Sequence, residues 1–80
     1  MIVYIKPDCP YSRGLVRWLA RKRRPVTEIN VLNDKFQYEK MLKLSGGVSG
    51  TPVWVEEDGT INVGFRGHYC PIDKEDLPWT

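Results

Sequence analysis

The sequence predicts a small α/β domain whose strands and helices follow the order β-α-β-α-β-β-α. Short apolar runs, typical of strands, alternate with two segments whose apolar residues recur at helical spacing. The segments between them contain proline, glycine and Asp-Gly or Asn-Asp pairs, which end helices and form turns. A chain of 80 residues has room for one domain, so we expect residues 1–80 to fold as a single unit.

The first half of the chain predicts two strand–helix pairs. Met1 to Lys6 is mostly apolar without alternation, as expected for a central strand covered on both faces. A helix is predicted from about Pro10 to Lys22, with its apolar residues on one face. Val26 to Leu32 predicts a second strand. A second helix follows, capped by Asn33-Asp34 and running to about Leu44.

The second half predicts a hairpin and a last short helix. Val53-Trp54-Val55 forms one strand of the hairpin and Ile61 to Phe65 the returning one. Asp58-Gly59 lies between them and supplies the positive φ angles of a tight turn. The last helix is expected from Pro71 to about Leu77.

Composition limits the class of protein. Apolar residues make up 41% of the chain and charged residues 28%, as in ordinary soluble domains. A net charge of +2 is too small to indicate a nucleic-acid partner. No apolar run approaches the roughly 20 residues that span a bilayer, and no signal peptide is evident. We therefore expect a cytoplasmic protein, in which two cysteines are better read as catalytic than as a disulfide scaffold.

Cys9 lies where the first loop becomes the first helix. Pro10 suits the first helical turn because its missing N–H would be unpaired there. The free N–H groups and the helix dipole favour an anion at the position of Cys9. We therefore predict that the pKa of the Cys9 thiol falls and that its thiolate is nucleophilic. Lys6 adds positive charge to the same loop.

The tetrad Cys9-Pro10-Tyr11-Ser12 resembles the active site of glutaredoxins in its single-thiol form. Those enzymes usually carry C-P-Y-C, and Ser12 stands here in place of the second cysteine. Lys6 matches the lysine three residues before the cysteine of the family. The resemblance implies a thioredoxin-like fold, with a four-stranded mixed sheet flanked by helices.

Thr51-Pro52-Val53 resembles the element of the same fold that holds a cis-proline facing the catalytic cysteine. A cis bond there redirects the chain and leaves the neighbouring backbone unpaired. A peptide or glutathione is then expected to add to this free edge through main-chain hydrogen bonds.

Gly64-Phe65-Arg66 is the stretch that separates two kinds of relative. Glutaredoxins carry a Gly-Gly motif that leads into the last helix and holds glutathione, and here only Gly64 matches it. The stretch instead resembles S-G-F-R in the redoxins that serve ribonucleotide reductase and are recharged by thioredoxin reductase. Those redoxins keep two active-site cysteines. Both glutathione and thioredoxin reductase are therefore open as the electron donor, and ribonucleotide reductase is open as a partner.

These resemblances imply thiol–disulfide exchange by Cys9 on protein or glutathione mixed disulfides, in a monomer. We expect glutathione as a co-substrate, no tightly bound cofactor and no metal, because two cysteines and one histidine fall short of a zinc site. Ser12 cannot resolve the resulting mixed disulfide because a hydroxyl is a poor nucleophile. The residues expected to contact substrate or glutathione are Lys6, Tyr11, Thr51, Pro52, Gly64 and Phe65.

A second thiol must resolve the mixed disulfide. Free glutathione is one choice, and Cys70 is the other. Cys70 immediately precedes Pro71, so we expect it at the start of the last helix, close to the tetrad. A disulfide requires the two Cα atoms to lie within about 7 Å.

Other functions stay open. An iron–sulfur carrier is known among single-thiol glutaredoxins, although Pro10-Tyr11 differs from their C-G-F-S motif. A catalytically idle binding module is another alternative, using the edge by Pro52 and the basic end of the first helix. No aromatic platform or groove-reading motif supports a nucleic-acid partner. His68 is expected to be exposed. The basic residues are Arg13, Arg17, Arg21, Lys22, Arg23 and Arg24, half of the chain's Lys and Arg.

Overall fold

A four-stranded mixed sheet forms the centre of the computed structural model, which describes all residues 1–80. The elements in chain order are β1 (Ile2–Ile5), α1 (Pro10–Arg21), β2 (Thr27–Asn30), α2 (Lys35–Leu44), β3 (Gly50–Thr51), β4 (Val53–Val55), β5 (Ile61–Val63) and β6 (Cys70–Pro71). The central sheet has the strand order β2-β1-β4-β5, and β3 pairs with β6 in a separate two-stranded sheet. The predicted fold class, a thioredoxin-like α/β fold, is confirmed.

Strand β1 lies inside the sheet, as its continuous apolar run predicts. It pairs in parallel with β2 and antiparallel with β4. Consecutive side chains of a strand point to opposite faces, and both Val3 and Tyr4 are fully buried. Each face of β1 is therefore covered by its own layer.

One layer is α1. Its Leu15 and Leu19 pack with Val3, and all three side chains are completely buried. Leu15 and Leu19 are four residues apart and so share one helical face. This packing fixes α1, and with it the loop that carries Cys9, against the end of β1.

The other layer is formed by α2 and the C-terminal segment. Tyr4 packs there with Val31, Met41 and Val53, and Ile72 and Leu77 close the same cluster. Burial raises the pKa of the Tyr4 hydroxyl because its charged form would lose hydration. The C-terminal residues are thereby anchored beneath the sheet rather than left on the surface.

Both helices begin and end close to their predicted positions. Helix α1 starts at Pro10, and α2 starts after Asp34, whose carboxylate accepts hydrogen bonds from the N–H groups of Phe36 and Gln37. This confirms Asp34 as the cap expected for the second helix. Neither helix has the length and apolar character needed to cross a membrane.

The predicted last helix is wrong in extent. Only one 3-10 turn, Lys74–Asp76, forms there. Residues that precede a proline are pushed out of the helical region, and this applies to Cys70 before Pro71 and to Leu77 before Pro78. The backbone between them is also held in an extended pairing, because the Ile72 N–H donates to the Ser49 carbonyl instead of to a helical partner.

The hairpin forms as expected, but its returning strand is shorter. Asp58 accepts a hydrogen bond from the Thr60 N–H, and this bond lowers the pKa of the Asp58 carboxyl. Strand β5 ends at Val63 instead of Phe65. The reason is Gly64, which has φ +84° and donates its N–H to the Pro52 carbonyl at 2.7 Å. The chain turns away from the sheet at this glycine.

Candidate active site

Cys9 caps the N-terminus of α1, as the sequence predicts. Its Sγ accepts a hydrogen bond from the Ser12 N–H at 3.4 Å. The carbonyl oxygen of Thr51 also lies 3.4 Å from the same sulfur. Cys9 is completely buried. The sulfur is therefore held between the first turn of α1 and the end of β3.

Cys70 is joined to Cys9 by a disulfide across 61 residues of sequence. The two Cα atoms are 5.9 Å apart, which lies within the range of ordinary disulfides. Cys70 lies in strand β6. The prediction that it stands at the start of the last helix is therefore wrong. It is brought to Cys9 by strand pairing, because Cys70 and Thr51 are partners in the β3–β6 register.

The peptide bond between Thr51 and Pro52 is cis, as predicted. The edge beside it is not free, and in this respect the prediction was wrong. Gly50 pairs with Pro71 and Thr51 pairs with Cys70. The position expected for a bound peptide or glutathione is occupied by the chain's own segment.

A tight loop delivers β6 to this edge. Phe65 and His68 exchange two backbone hydrogen bonds, of 2.8 and 3.1 Å. The loop begins at Gly64, where an added Cβ would meet the His68 carbonyl oxygen at 2.8 Å. Arg66 also has a positive φ, of 54°. The backbone of this loop therefore depends on glycine at its first position.

Two side chains near Cys9 contact the segment of residues 68–71. The Tyr11 ring stacks on His68 with centroids 5.2 Å apart. The Lys6 ammonium donates to the Pro71 carbonyl oxygen at 3.3 Å. Of the predicted substrate-binding residues, Lys6, Tyr11 and Thr51 contact residues 68–71 of this chain. Their contact with an external substrate or with glutathione stays a prediction.

The family model described as Glutaredoxin matches residues 1–57. The chain belongs to the glutaredoxin family. It is also 36% identical over 72 residues to an "Uncharacterized glutaredoxin-like 8.6 kDa protein in rubredoxin operon" of Clostridium pasteurianum, an alignment that covers 90% of this chain and 91% of that protein. No solved structure matches the chain significantly.

Family membership and the Cys9–Cys70 disulfide together identify a thiol–disulfide redox protein. Ser12 of the tetrad cannot form a disulfide because it carries a hydroxyl in place of a thiol. The Ser12 Oγ is buried and has no hydrogen-bond partner, and the same is true of the Thr51 Oγ1. Both residues touch the Cys9 sulfur through backbone atoms. Two residues in contact with the Cys9 disulfide sulfur therefore carry buried hydroxyls without a hydrogen-bond partner.

Sequence reasoning missed three residues of this glutaredoxin-family site. His68 was expected to be exposed, which is confirmed, but its stacking on Tyr11 was not foreseen. Tyr69 lies against Gly50, where any Cβ would collide with its ring. Pro71 supplies the carbonyl that Lys6 binds. The only signal for all three was their proximity in sequence to Cys70.

The basic end of α1 faces solvent. All six of its Lys and Arg residues are exposed, and Arg24 alone lies near a carboxylate, with Glu56 at 3.8 Å. Arg13 adjoins the tetrad, and its backbone N–H donates to the Cys9 carbonyl at 3.1 Å. An anionic partner for these six side chains stays a prediction. The structure brings together no group of three or more His, Cys, Asp or Glu side chains suited to a metal ion.

Proposed function

We propose that this chain is a disulfide reductase that cycles between a Cys9/Cys70 dithiol and the Cys9–Cys70 disulfide. The observation that carries the proposal is the disulfide itself, which joins the tetrad cysteine to the only other cysteine in the chain. It supports Cys70 rather than free glutathione as the resolving thiol. Substrates are protein disulfides or protein–glutathione mixed disulfides.

The first step is attack by the Cys9 thiolate on one sulfur of the substrate disulfide. A bond forms between Cys9 Sγ and that sulfur, the substrate S–S bond breaks, and the other substrate sulfur leaves as a thiolate that takes up a proton. The Ser12 N–H at the helix N-terminus supports the Cys9 thiolate before attack.

The second step is attack by the Cys70 thiolate on Cys9 Sγ. The Cys9–Cys70 bond forms, and the remaining substrate sulfur leaves and is protonated. Two electrons have then passed from the dithiol to the substrate. In the oxidised protein Cys70 pairs with Thr51 beside Cys9, which supports Cys70 as the resolving thiol. Strand β6 returns to this pairing as the substrate leaves.

Substrate docks on the β3 edge in the reduced protein. Strand β6 shows that Gly50–Thr51 accepts an antiparallel partner there. Reduction removes the covalent link to Cys9 and leaves β6 held by its two residue pairs with β3 and by its contacts with Lys6 and Tyr11. An extended substrate segment then replaces it at this edge. In the oxidised protein Lys6 contacts Pro71 and Tyr11 contacts His68. In the reduced protein these two side chains bind the substrate instead, and Pro52, Gly64 and Phe65 are the further residues expected to contact it.

An external thiol must return the protein to its dithiol form. We propose glutathione as the co-substrate that does this. Thioredoxin reductase is the alternative electron donor, because Gly64-Phe65-Arg66 resembles the redoxins that this enzyme reduces. The relative's name places that protein in a rubredoxin operon, which favours redox proteins as partners here too. A reducing cytoplasm supplies the conditions for such a cycle.

A single-turnover experiment tests this proposal. The prereduced protein is mixed with one equivalent of a disulfide-linked peptide pair in the absence of other thiols. Wild-type protein is expected to release both peptides as thiols and to lose two hydrogens in mass. Cys70→Ser is expected to release one peptide and to retain the other on Cys9. Cys9→Ser is expected to release neither at a comparable rate.

The alternatives give different results in the same experiment. If Cys70→Ser releases both peptides as fast as wild type, Cys70 does not resolve the mixed disulfide. If wild type releases neither peptide, the chain is a binding module rather than a reductase. An iron–sulfur carrier would be recognised by visible absorbance that is lost in Cys9→Ser.

A further inference from the structure

We propose that reducing equivalents enter the oxidised protein at Cys70, and that Cys9 is the leaving group of that step. The inference rests on the proposed Cys9–Cys70 cycle and adds the direction in which the disulfide is opened. In the alternative direction, the donor thiol would attack Cys9 and expel Cys70. Access to the two sulfurs decides between these directions.

Cys9 is closed to attack in the oxidised protein. No part of the residue is exposed to solvent. Besides its bond to Cys70, the Cys9 sulfur is flanked by the Ser12 backbone nitrogen and the Thr51 carbonyl oxygen, each at 3.4 Å. Thiol–disulfide exchange requires the attacking thiolate to reach the sulfur opposite the bond that breaks, so its rate depends on access. Backbone atoms of α1 and β3 therefore contact Cys9 Sγ, and the residue has no solvent-exposed surface through which a thiolate could approach.

Cys70 is the more accessible of the two cysteines. It is partly exposed, and its neighbours Tyr69 and Pro71 are exposed as well. Strand β6 has one neighbouring strand, β3, and its further polar contact is the hydrogen bond from the Lys6 ammonium to the Pro71 carbonyl. Because Cys70 is partly exposed whereas Cys9 is not, a donor thiol reaches Cys70 first.

The leaving group also favours this direction. Expulsion of Cys9 creates a thiolate that already accepts the Ser12 N–H at the N-terminus of a 12-residue helix. Cys70 lies in a two-residue strand without such a helix terminus. A sulfur that is better stabilised as an anion leaves faster in thiol–disulfide exchange. The same feature that activates Cys9 against substrate thus makes it the better leaving group in recycling.

The step balances with two equivalents of a donor thiol. The first donor thiolate bonds to Cys70 Sγ, the Cys9–Cys70 bond breaks, and its electron pair stays on Cys9. The second donor thiolate attacks the donor sulfur of the Cys70 mixed disulfide, and Cys70 leaves as a thiolate that is protonated. The products are the dithiol protein and the oxidised donor, with two electrons transferred.

Glutathione serves as the probe for the test. The oxidised protein is mixed with glutathione, quenched in acid within milliseconds, alkylated at low pH and digested with trypsin. Arg13 and Arg66 separate the two cysteines into different peptides. We expect the early adduct on Cys70 and alkylation on Cys9, in at least about tenfold excess over the reverse pattern, because access governs the rate. Extrapolation to zero time corrects for later migration of glutathione.

Glutathione-loaded Cys9→Ser and Cys70→Ser proteins provide the mass standards for the two adducts. An early adduct found mainly on Cys9, or on both cysteines equally, would overturn entry at Cys70 while leaving the dithiol cycle intact. A protein that forms no Cys9–Cys70 disulfide on oxidation overturns both proposals. The two failures are thus distinguished before glutathione is added.

Discussion

Thr51 and Cys70 are partners in an antiparallel strand pair, and this pairing positions Cys70 to bond with Cys9. Thr51 also places its carbonyl oxygen beside the Cys9 sulfur and precedes the cis-proline. Thr51 therefore contacts both cysteines of the disulfide. The sequence predicts that the edge of β3 receives substrate, and in the structure this edge pairs with the chain's own Cys70 segment.

Gly64→Ala is expected to disrupt this arrangement. An alanine there would have to adopt the strained φ of +84°, and its Cβ would lie 2.8 Å from the His68 carbonyl oxygen, displacing the loop that carries β6. We expect a loss of about 2–4 kcal/mol in the free energy of unfolding of the oxidised protein, with slower disulfide formation. Urea unfolding and timed alkylation measure the two effects.

Gly67→Ala is the matched control, because Gly67 has a φ of +81° but nothing within 4 Å of its added Cβ. It should lose only about 1 kcal/mol, from backbone strain, and should form the disulfide at the normal rate. Equal effects of the two substitutions would show that the contact with His68 does not position β6.

Tyr11→Ala is expected to weaken the attachment of residues 68–71, which contain Cys70, because it removes the stack on His68. Stacking of Tyr11 on His68 is worth about 0.5–1.5 kcal/mol by comparison with other aromatic pairs. In a glutathione redox buffer, its loss should shift the Cys9/Cys70 equilibrium toward the dithiol by roughly two- to tenfold. Mass spectrometry of the alkylated protein gives the ratio. His68→Ala should produce a similar shift, and the double variant should add little to either, whereas additive shifts would contradict a direct stacking effect.

Leu15→Ala is expected to weaken the attachment of α1 to the sheet. Leu15 is completely buried against Val3 and Leu19, and such a truncation costs about 2–5 kcal/mol. Chemical unfolding should show this loss in both redox states, because the packing does not involve the disulfide. Phe36→Ala is the control at an 82% exposed position. A loss there as large as that at Leu15 would contradict the assigned core.

Asp58→Asn is expected to remove a pH-dependent part of the stability of the hairpin. The pKa of Asp58 is lowered, mainly by the Thr60 backbone N–H, so its charged form is favoured in the folded protein. Its contribution is present above the unfolded pKa near 3.8 and is lost as the pH falls through the lower folded value. The stability difference between wild type and variant should therefore be constant near neutral pH and shrink in acid. A difference that grows in acid would contradict this assignment.

Local signals in the sequence predicted the parts of the site that are built locally. Cys9 before Pro10 marks a helix start, Asp34 is a cap, and the apolar run of β1 marks a central strand; each depends on residues close in sequence. The cis bond before Pro52 was identified by resemblance rather than by propensity. These features are confirmed by the structure.

The surroundings of Cys70 depend on contacts that are distant in sequence, and there the predictions failed. A two-residue strand that includes a proline has no periodicity to detect. Its position is set by pairing with Gly50 and Thr51 and by the loop at Gly64. Consequently Cys70 was expected at a helix start, and the edge at Thr51 was expected to be free.

The most direct test of the account is the intact mass of the reduced protein after exposure to oxidised glutathione, repeated with Cys9→Ser and Cys70→Ser. The account predicts that wild type loses two hydrogens and carries no adduct. It also predicts that Cys70→Ser keeps one glutathione on Cys9, because its resolving thiol is absent. A stable glutathione adduct on Cys9 of wild-type protein, with Cys70 still a free thiol, would contradict the Cys9–Cys70 cycle.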